Sequence, residues 1–302
     1  MRLMLRLLIA ITGVALLAAC ATAPEKPAPS ARTSVPAPLG PGNHDLRLGA
    51  RTYRLHVPAG LPPGPVPLVV GLHSALSAGG VMELLSRLDQ VAGRERFLVV
   101  YPDGEPAGAR VWNAGDCCNR SASDDVGFLV GLIDHLVTTQ RADPARVYAT
   151  GVSNGAMMAY RLACQRADKI AAIAPVAGAM TYRPCRPSRP VPVMIFHGSA
   201  DLAVPEAGGS LRTLGMRDAF PSQAEIVRTW SRINGVPEPD RVSYQKGDVV
   251  CRAGARDMVV YCRVTGGGHT WPGGTPVPMG GLTTTNIDAS TAMWTFFTTH
   301  RR

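Results

Sequence analysis

Lysine is scarce in this chain. Only three of its 31 lysine and arginine residues are lysines (Lys26, Lys169 and Lys246), and the arginines are scattered rather than gathered into blocks. The net charge of +9 therefore forms no basic patch of the kind that binds nucleic acid, and we expect no nucleic-acid partner. Charged residues make up only 18% of the chain and hydrophobic residues 46%, a composition that excludes a disordered protein and supplies a core.

No apolar stretch is long enough to span a bilayer. The longest, residues 7–19, follows two arginines and ends in L-A-A-C. This pattern predicts an export signal over residues 1–19, with Cys20 as the lipidated residue of a cell-envelope lipoprotein. Cleavage after Ala23, which would release a secreted protein, is the alternative. The Pro/Ala-rich residues 20–42 predict an extended tether, and residues 43–302 predict a single folded domain, which we expect to be monomeric.

Paired CxxC motifs are absent, and no histidines accompany the cysteines as ligands, so we expect no metal site. Setting Cys20 aside leaves six cysteines, an even number that predicts disulfides in an exported chain. Cys251 and Cys262 flank a predicted hairpin and form the natural pair. The other four could pair in three ways: Cys117, Cys118, Cys164 and Cys185. We favour bridges from each of the two adjacent cysteines to one of the other two, because a bridge between chain neighbours is more strained.

Apolar runs of strand length recur along the chain. They cover residues 67–73, 97–102, 145–151, 170–178 and 191–198. Continuous apolarity predicts strands covered on both faces, and the helical periods between them predict right-handed crossovers within a parallel sheet. The alternating residues 45–57, with a turn at Gly49, predict an antiparallel hairpin at the sheet edge. The pattern indicates an α/β fold with helices on both faces of a mostly parallel sheet.

Residues 151–155 read G-V-S-N-G. Ser153 lies directly after the predicted strand 145–151 and directly before a helical stretch over residues 154–164. This strand–turn–helix context is that of the nucleophile elbow of the α/β-hydrolase fold. We therefore predict that fold, with Ser153 as an attacking hydroxyl. A loop serine that has glycines nearby by chance is the alternative.

A serine nucleophile needs a base and a carboxylate, which follow it in the order acid, then histidine, in this fold. His269 follows the predicted strand 258–264, in G-G-G-H-T-W-P-G-G, and is the expected base; His300 lies at the extreme terminus. Asp201, in H-G-S-A-D just after the strand 191–198, is the expected acid, with Glu206 as its nearest competitor.

Backbone N–H groups are expected to bind the oxyanion. One is that of Asn154, directly after the nucleophile, and the second is that of Ser74 or Ala75, in the loop after the strand 67–73. His73 is expected to shape that loop rather than to act as a base. Three further residues are expected at the substrate pocket: Trp112, Asn113 and Trp271. For Trp112 and Asn113, a role in anchoring a loop is the alternative, and for Trp112 an ordinary packed tryptophan is another.

Several segments together resemble the extracellular esterase family of polyhydroxybutyrate depolymerases and feruloyl or acetyl-xylan esterases, which includes exported lipoprotein esterases. They are L-H-S (72–74), V-Y-P-D-G (100–104), W-N-A-G-D-C-C (112–118), G-V-S-N-G-A-M-M (151–158), A-P-V-A-G (174–178), F-H-G-S-A-D (196–201) and G-G-G-H-T-W-P-G (266–273). The resemblance implies Ser153, Asp201 and His269 as the triad. One departure is Ser74, where many members have a glycine.

These features predict a serine carboxylic-ester hydrolase that needs no cofactor. Its expected substrates are hydroxyalkanoate oligomers or other short-chain or aryl esters. The resemblance favours soluble esters over solid polymer granules, because depolymerases that attack granules often carry an extra substrate-binding domain and here we expect a catalytic domain alone. Feruloyl or acetyl groups on plant polysaccharide are the alternative substrates. A same-fold peptidase lacks support, and a catalytically inactive, envelope-anchored binding protein is the alternative from another class.

Overall fold

The computed structural model describes residues 37–105, 110–117, 123–209 and 220–302. The predictions for the export signal, for Cys20, for most of the tether and for Cys118 lie outside the described residues. Within the described ranges, no helix combines the length and apolarity needed to cross a membrane.

Ten strands form one mixed sheet. They are β1 (Gly42–Leu48), β2 (Arg51–Val57), β3 (Val66–Leu72), β4 (Leu98–Pro102), β5 (Ala142–Val152), β6 (Ala172–Val176), β7 (Val193–Gly198), β8 (Arg241–Lys246), β9 (Val249–Ala253) and β10 (Val259–Val264). Their order is β1-β2-β4-β3-β5-β6-β7-β10-β9-β8. The six central strands, from β4 to β10, run parallel, and an antiparallel pair extends each edge. The predicted mostly parallel sheet with an N-terminal edge hairpin is confirmed.

In the described ranges, six α-helices cover the two faces of the sheet. They are α1 (Gly79–Ser86), α2 (Leu88–Glu95), α3 (Asp125–Gln140), α4 (Asn154–Gln165), α5 (Gln223–Asn234) and α6 (Ala289–Thr298). Helices α3, α4 and α5 pack in one core cluster and α1, α2 and α6 in the other. Within β3, Leu68 and Val70 belong to the first cluster and Val69 to the second, because successive side chains of a strand point to opposite faces. This two-sided burial explains why the central strands are apolar throughout.

Some elements were not predicted from the sequence pattern, among them β8 and α5. Helix α5 nevertheless begins with a local signal, because Ser222 and Glu225 form a reciprocal capping box, which is a known helix start. The folded part also begins slightly before residue 43, since β1 starts at Gly42 and the backbone N–H of Leu39 donates to the Gln140 side chain at 2.9 Å.

Two disulfides join cysteines of the described chain. Cys251 and Cys262 face each other across β9 and β10, as the hairpin pattern predicts. Cys164 and Cys185 bond to each other, so the expectation that each would bond to one of the adjacent cysteines is wrong. The C-terminal end of α4 and the loop after β6 meet at this bond, a proximity that no local pattern reveals. Cys117 is also disulfide-bonded.

Candidate active site

The turn between β5 and α4 holds Ser153 in a rare backbone conformation. Its φ is 57° and its ψ −120°, a combination that costs free energy for a residue with a side chain and that is found mainly at functional sites. The N–H of Ser153 donates to Val176 O at 3.0 Å, which ties this turn to the end of the neighbouring strand β6. The residue is half-buried at the carboxyl edge of the sheet.

The two glycines of G-V-S-N-G allow this turn to touch the end of β3. A Cβ added to Gly155 would lie 2.2 Å from Leu72 O and 2.5 Å from His73 O, and one added to Gly151 would lie 2.6 Å from Leu72 O. None of these three distances is compatible with a side chain. The glycines therefore bring Ser153 against the strand whose following loop carries Ser74 and Ala75.

Asp201 and His269 form a direct hydrogen bond. Nδ1 of His269 lies 2.8 Å from Oδ2 of Asp201, and because a carboxylate only accepts, Nδ1 donates. The other oxygen, Oδ1, accepts from the backbone N–H groups of Ala203 and Val204 at 2.9 and 2.8 Å. Asp201 is 3% exposed and the His269 side chain 22% exposed. The buried carboxylate thus fixes the tautomer of a ring that reaches the surface, with the lone pair on Nε2.

Backbone contacts hold the loops of the acid and the histidine together. The N–H of Ala200 donates to Gly267 O at 2.9 Å, and the N–H of Gly266 donates to the Ser199 hydroxyl at 2.8 Å. Because β7 and β10 are parallel neighbours, their following loops lie at the same edge of the sheet as Ser153. Among the described residues, no direct hydrogen bond joins Ser153 to His269. Such bonds are often long before substrate binds.

The competing acid, Glu206, is engaged elsewhere. Its carboxylate accepts from Arg263 at 2.7 and 3.0 Å and from the Tyr261 hydroxyl at 2.8 Å. Both partners belong to β10, and Glu206 makes no hydrogen bond to His269 among the described residues. Glu206 therefore has a structural role in the loop after β7.

The loop after β3 is held in part by the side chain of Asn154, for which the sequence predicted only a backbone role. Asn154 is fully buried at the start of α4, and its side chain accepts from the N–H of Trp112 at 2.6 Å and donates to Trp112 O at 3.0 Å. The indole N–H of Trp112 in turn donates to His73 O at 3.0 Å. This chain of bonds connects the first residue of α4 to the strand end that precedes Ser74 and Ala75.

His73 shapes this loop, as predicted. Its Nε2 accepts from the N–H of Gly104 at 2.8 Å, so Nδ1 carries the proton and donates to Ser74 O at 2.7 Å. Burial lowers the pKa of the ring. A neutral histidine with both nitrogens engaged is a structural group rather than a base.

Each of the three predicted pocket residues forms hydrogen bonds with other parts of the protein. Trp112 and Trp271 are both 0% exposed, and the Trp271 indole N–H donates to the Ser290 hydroxyl at 3.1 Å. Both tryptophans are thus packed in the interior, and their place in the substrate pocket stays a prediction. Asn113 is half-buried, with its backbone N–H donating to Asp125 at 2.7 Å and its side chain donating to Ser123 O at 3.1 Å. Trp112 and Asn113 thus anchor a loop, the alternative stated above.

His197 is a second residue that sequence reasoning missed. It is buried beneath the acid loop, donates from Nε2 to Val204 O at 2.8 Å, and lies 3.8 Å from Oδ2 of Asp201. Its Nδ1 is buried with no hydrogen-bond partner. Burial lowers the pKa of the ring although Asp201 opposes this shift. A neutral His197 supports the segment 201–204 from below. In the part of the chain that the structure covers, no group of three His, Cys, Asp or Glu residues is arranged to hold a metal ion.

Comparisons with known proteins place these features in a family. A family model described as "Esterase PHB depolymerase" matches residues 51–208. The protein named "Putative esterase NocK" from Nocardia uniformis subsp. tsuyamanensis is 34% identical over 249 residues, which cover 74% of this chain and 72% of that protein.

Two further relatives are longer proteins. Feruloyl esterase B of Piromyces equi is 30% identical over 219 residues, or 67% of this chain and 39% of that protein. Poly(3-hydroxyalkanoate) depolymerase C of Paucimonas lemoignei is 27% identical over 267 residues, or 74% of this chain and 58% of that protein. The chain thus spans less than two thirds of the length of either.

Solved structures share the fold at low sequence identity. An acetyl xylan esterase from Aspergillus awamori superimposes with a TM-score of 0.63 and 15% identity, over 85% of this chain and 99% of that one. A thermostable esterase gives a TM-score of 0.56 and 16% identity, over 86% of this chain and 63% of that one. At these identities the likeness establishes the fold.

Proposed function

Because this chain belongs to the PHB depolymerase family of esterases, we propose that it hydrolyses carboxylic esters through a covalent acyl-enzyme on Ser153. His269 is the general base and acid, and Asp201 orients and stabilises its ring. The observation that carries this proposal is the 2.8 Å hydrogen bond between His269 and Asp201. It joins two loops at the sheet edge where Ser153 sits in its strained turn.

The chemistry needs two symmetrical steps. In the first, Ser153 Oγ attacks the acyl carbon while Nε2 of His269 takes the hydroxyl proton, and the bond to the alcohol breaks as that proton passes to the departing oxygen. In the second, water attacks the acyl carbon, gives its proton to Nε2, and releases the carboxylic acid as Ser153 recovers a proton. Asp201 stays ionised in both steps and stabilises the imidazolium.

The negative charge that develops on the acyl oxygen needs donors in place beforehand. The N–H of Asn154 is the first candidate, because the leading N–H groups of a helix have no intrahelical acceptor and lie at the positive end of its dipole. The N–H of Ser74 or Ala75 is the second. The neighbouring N–H of Leu76 is already used, since it donates to Arg110 O at 2.9 Å.

Hydroxyalkanoate oligomers and other short-chain or aryl esters are the proposed substrates. The family description and the depolymerase from Paucimonas lemoignei support this class. Feruloyl or acetyl esters of plant polysaccharide are a second class, supported by the feruloyl esterase from Piromyces equi. Initial rates on 3-hydroxybutyrate oligomers, methyl ferulate and acetylated xylan would rank the two classes.

Labelling with a fluorophosphonate tests the nucleophile and separates an enzyme from an inactive binding protein. Wild-type protein should lose p-nitrophenyl acetate hydrolysis as one equivalent of label becomes attached to Ser153. Ser153→Ala should take up no label and lose activity by several powers of ten, because the three groups act as a unit. Ser188→Ala, at an exposed serine of the loop after β6, is the matched control and should behave as wild type. A folded Ser153→Ala protein that keeps a tenth of the activity contradicts the proposal.

Export with a lipid on Cys20 is proposed alongside the activity. The disulfides of the described domain agree with folding outside the cytosol. Cys20→Ala should move the protein from the membrane fraction to the soluble exported fraction without changing its specific activity. If wild-type protein is already soluble after export, cleavage after Ala23 is the better description.

A further inference from the structure

A large groove of about 950 Å³ lies between α5 and the loop that follows β6. Met180, Arg183 and Cys185 line it from the loop, and Ile226, Arg228 and Arg232 line it from the helix. Neither Ser153 nor His269 is among its lining residues. The groove is therefore a site separate from the reacting groups.

Three arginines give this groove a positive charge. Arg183, Arg228 and Arg232 are all exposed, and no ion pair joins any of them to an acidic residue in the described part of the chain. Among the described residues, Glu225 is the single carboxylate in the lining, and it is already bonded to the backbone N–H and hydroxyl of Ser222 at 2.8 and 3.0 Å. Three cations thus face one engaged anion.

The helical side of the groove is one continuous face. Arg228 and Arg232 are four residues apart, and Ile226 and Ile233 are seven apart, so each pair shares a side of α5. From Glu225 to Arg232 the face runs about 10 Å along the helix. Ile226 is 1% exposed and Met180 5% exposed, so they form the packed apolar base of the groove, and the half-buried Ile233 presents apolar surface beside the charged rim.

The walls of the groove are fixed in place. The Cys164–Cys185 disulfide attaches the loop to the end of α4. The buried side chain of Gln223 donates to Gly178 O at 3.0 Å, which attaches the first turn of α5 to the start of the same loop. A preformed site binds its ligand with less ordering cost than a mobile one.

The loop that lines the groove starts beside the nucleophile. The loop that forms its wall leaves β6 directly after Val176, whose carbonyl accepts from the N–H of Ser153 at 3.0 Å. A Cβ on Gly178 would lie 3.0 Å from Ser153 O, and Met180 follows two residues later. The wall of the groove thus begins, along the chain, at the turn that carries Ser153.

Apolar surface beside a charged rim suits an aliphatic chain that ends in a carboxylate. We propose that this groove binds the free carboxylate end of a hydroxyalkanoate oligomer, while an ester bond further along the same chain reaches Ser153. Arg228 and Arg232 pair with the carboxylate, and Ile233 contacts the aliphatic units. This inference rests on the proposed esterase function and assigns a substrate terminus to it.

The test compares a short 3-hydroxybutyrate oligomer as its free acid with the methyl ester of the same oligomer. Exposed charge pairs are individually weak, so we expect two of them to give the free acid an advantage of about tenfold in kcat/KM. Arg228→Gln with Arg232→Gln should bring the ratio of the two kcat/KM values close to one, mainly through KM. The ratio of the wild-type protein should also fall as salt is added.

A control of equal charge change is available at the far edge of the sheet. Arg47 on β1 and Arg94 on α2 are exposed, and Arg47→Gln with Arg94→Gln should leave the acid preference intact. An unchanged acid preference in the groove variant, or an equal loss in the control variant, overturns the proposal.

Binding to a Ser153→Ala protein separates the failure of this proposal from failure of the proposed function. Calorimetry should show that the free acid binds more tightly than its methyl ester, and that the two groove substitutions remove the difference. If the wild-type protein hydrolyses no ester, the esterase function fails, and this binding result still supports or overturns the groove by itself.

Discussion

Oδ2 of Asp201 lies 2.8 Å from Nδ1 of His269, although 68 residues separate them in the chain. The other oxygen of the same carboxylate is held by two backbone N–H groups. Asp201 therefore has little freedom to turn, and the orientation of the histidine ring follows from the shape of the loop after β7.

Replacing Asp201 by asparagine should remove most activity. The amide keeps the size of the carboxylate but can hold His269 in the wrong tautomer and cannot stabilise the imidazolium, so we expect a loss on the order of 10⁴ in kcat, as in the serine-protease precedent. Asp201→Glu should lose less, because it retains the charge. Turnover of p-nitrophenyl acetate at matched folded protein measures the effect.

Glu206→Gln is the control for that prediction. Glu206 bonds to Arg263 and Tyr261, so its loss should lower stability slightly and leave turnover per folded molecule close to that of the wild type. If Asp201→Asn retains activity and Glu206→Gln loses it, the catalytic acid is Glu206 and the prediction is wrong.

Gly155→Ala should disrupt the turn of the nucleophile. The new methyl group would lie 2.2 Å from a backbone oxygen of β3, and overpacking of this kind costs about 1–3 kcal/mol or more. Both the melting temperature and kcat should fall, because relief of the clash moves Ser153 away from the loop that follows β3. Gly131→Ala is the matched control: Gly131 is exposed on α3 and its added Cβ meets nothing within 4 Å. There alanine should stabilise by up to about 1 kcal/mol. Equal behaviour of the two variants would contradict the crowding argument.

Two buried asparagines each bind both backbone groups of one residue, and we call this pair of hydrogen bonds a clamp. Because only one of the two clamps lies beside the candidate site, a comparison of the two separates effects on activity from effects on stability. The side chain of Asn154 bonds to both backbone groups of Trp112, and that of Asn234 bonds to both backbone groups of Val191 at 3.0 and 2.9 Å. Alanine at either position leaves buried backbone groups without partners, at a cost of about 1–3 kcal/mol.

Both alanine variants should therefore unfold at similarly lower denaturant concentrations. Only Asn154→Ala should also lower kcat, because it alone releases the loop beside the proposed oxyanion donors. A normal kcat in folded Asn154→Ala protein would show that the clamp on Trp112 has no part in catalysis.

Each of the two disulfides should contribute similarly to stability. The bond between Cys164 and Cys185 spans 21 residues and that between Cys251 and Cys262 spans 11, and the loss of chain entropy predicts about 3 kcal/mol for each. Replacement of either pair by serines should lower the free energy of unfolding by that amount in denaturant titrations. A negligible change for either pair would mean that the bond forms incompletely in the folded protein.

Acid should destabilise the protein through its buried histidines. Burial lowers the pKa values of His73 and His197, so below about pH 6.5 the unfolded chain takes up protons that the folded chain does not. Stability from these residues is present above that pH and is lost as the pH falls towards their lowered values, by at most about 1.4 kcal/mol per pH unit for each. Burial raises the pKa of Asp89 to about 7, which acts in the opposite direction.

The contribution of His197 can be isolated by substitution. His197→Gln keeps an N–H donor for Val204 O but does not titrate, so its free energy of unfolding should fall less steeply than that of the wild type between pH 6.5 and 5. His135→Gln, on the partly exposed side of α3, should leave the slope unchanged. Identical slopes for His197→Gln and the wild type would exclude a buried neutral His197 as a source of acid sensitivity.

Local patterns were sufficient to identify several features of this protein. Alternation and continuous apolarity are properties of residues that are neighbours in the chain. They were therefore sufficient to predict the strands β3 to β7 and the edge hairpin. The G-V-S-N-G turn and the positions of Asp201 and His269 after strands were likewise visible, because the carboxyl ends of parallel strands share an edge. The disulfide between Cys251 and Cys262 could be predicted because the two cysteines flank a single local hairpin.

Other features depend on the packing of segments that are distant in the chain. From the sequence, Trp112 is a possible pocket-wall residue. In the structure its backbone N–H donates to the side chain of Asn154, which lies 42 residues later in the chain, and Trp112 is buried. The pairing of Cys164 with Cys185 and the groove between α5 and the loop after β6 likewise arise where separate elements meet. Residue patterns constrain the conformation of each segment, whereas these contacts depend on the distances between segments, which are set only when the helices pack onto the sheet.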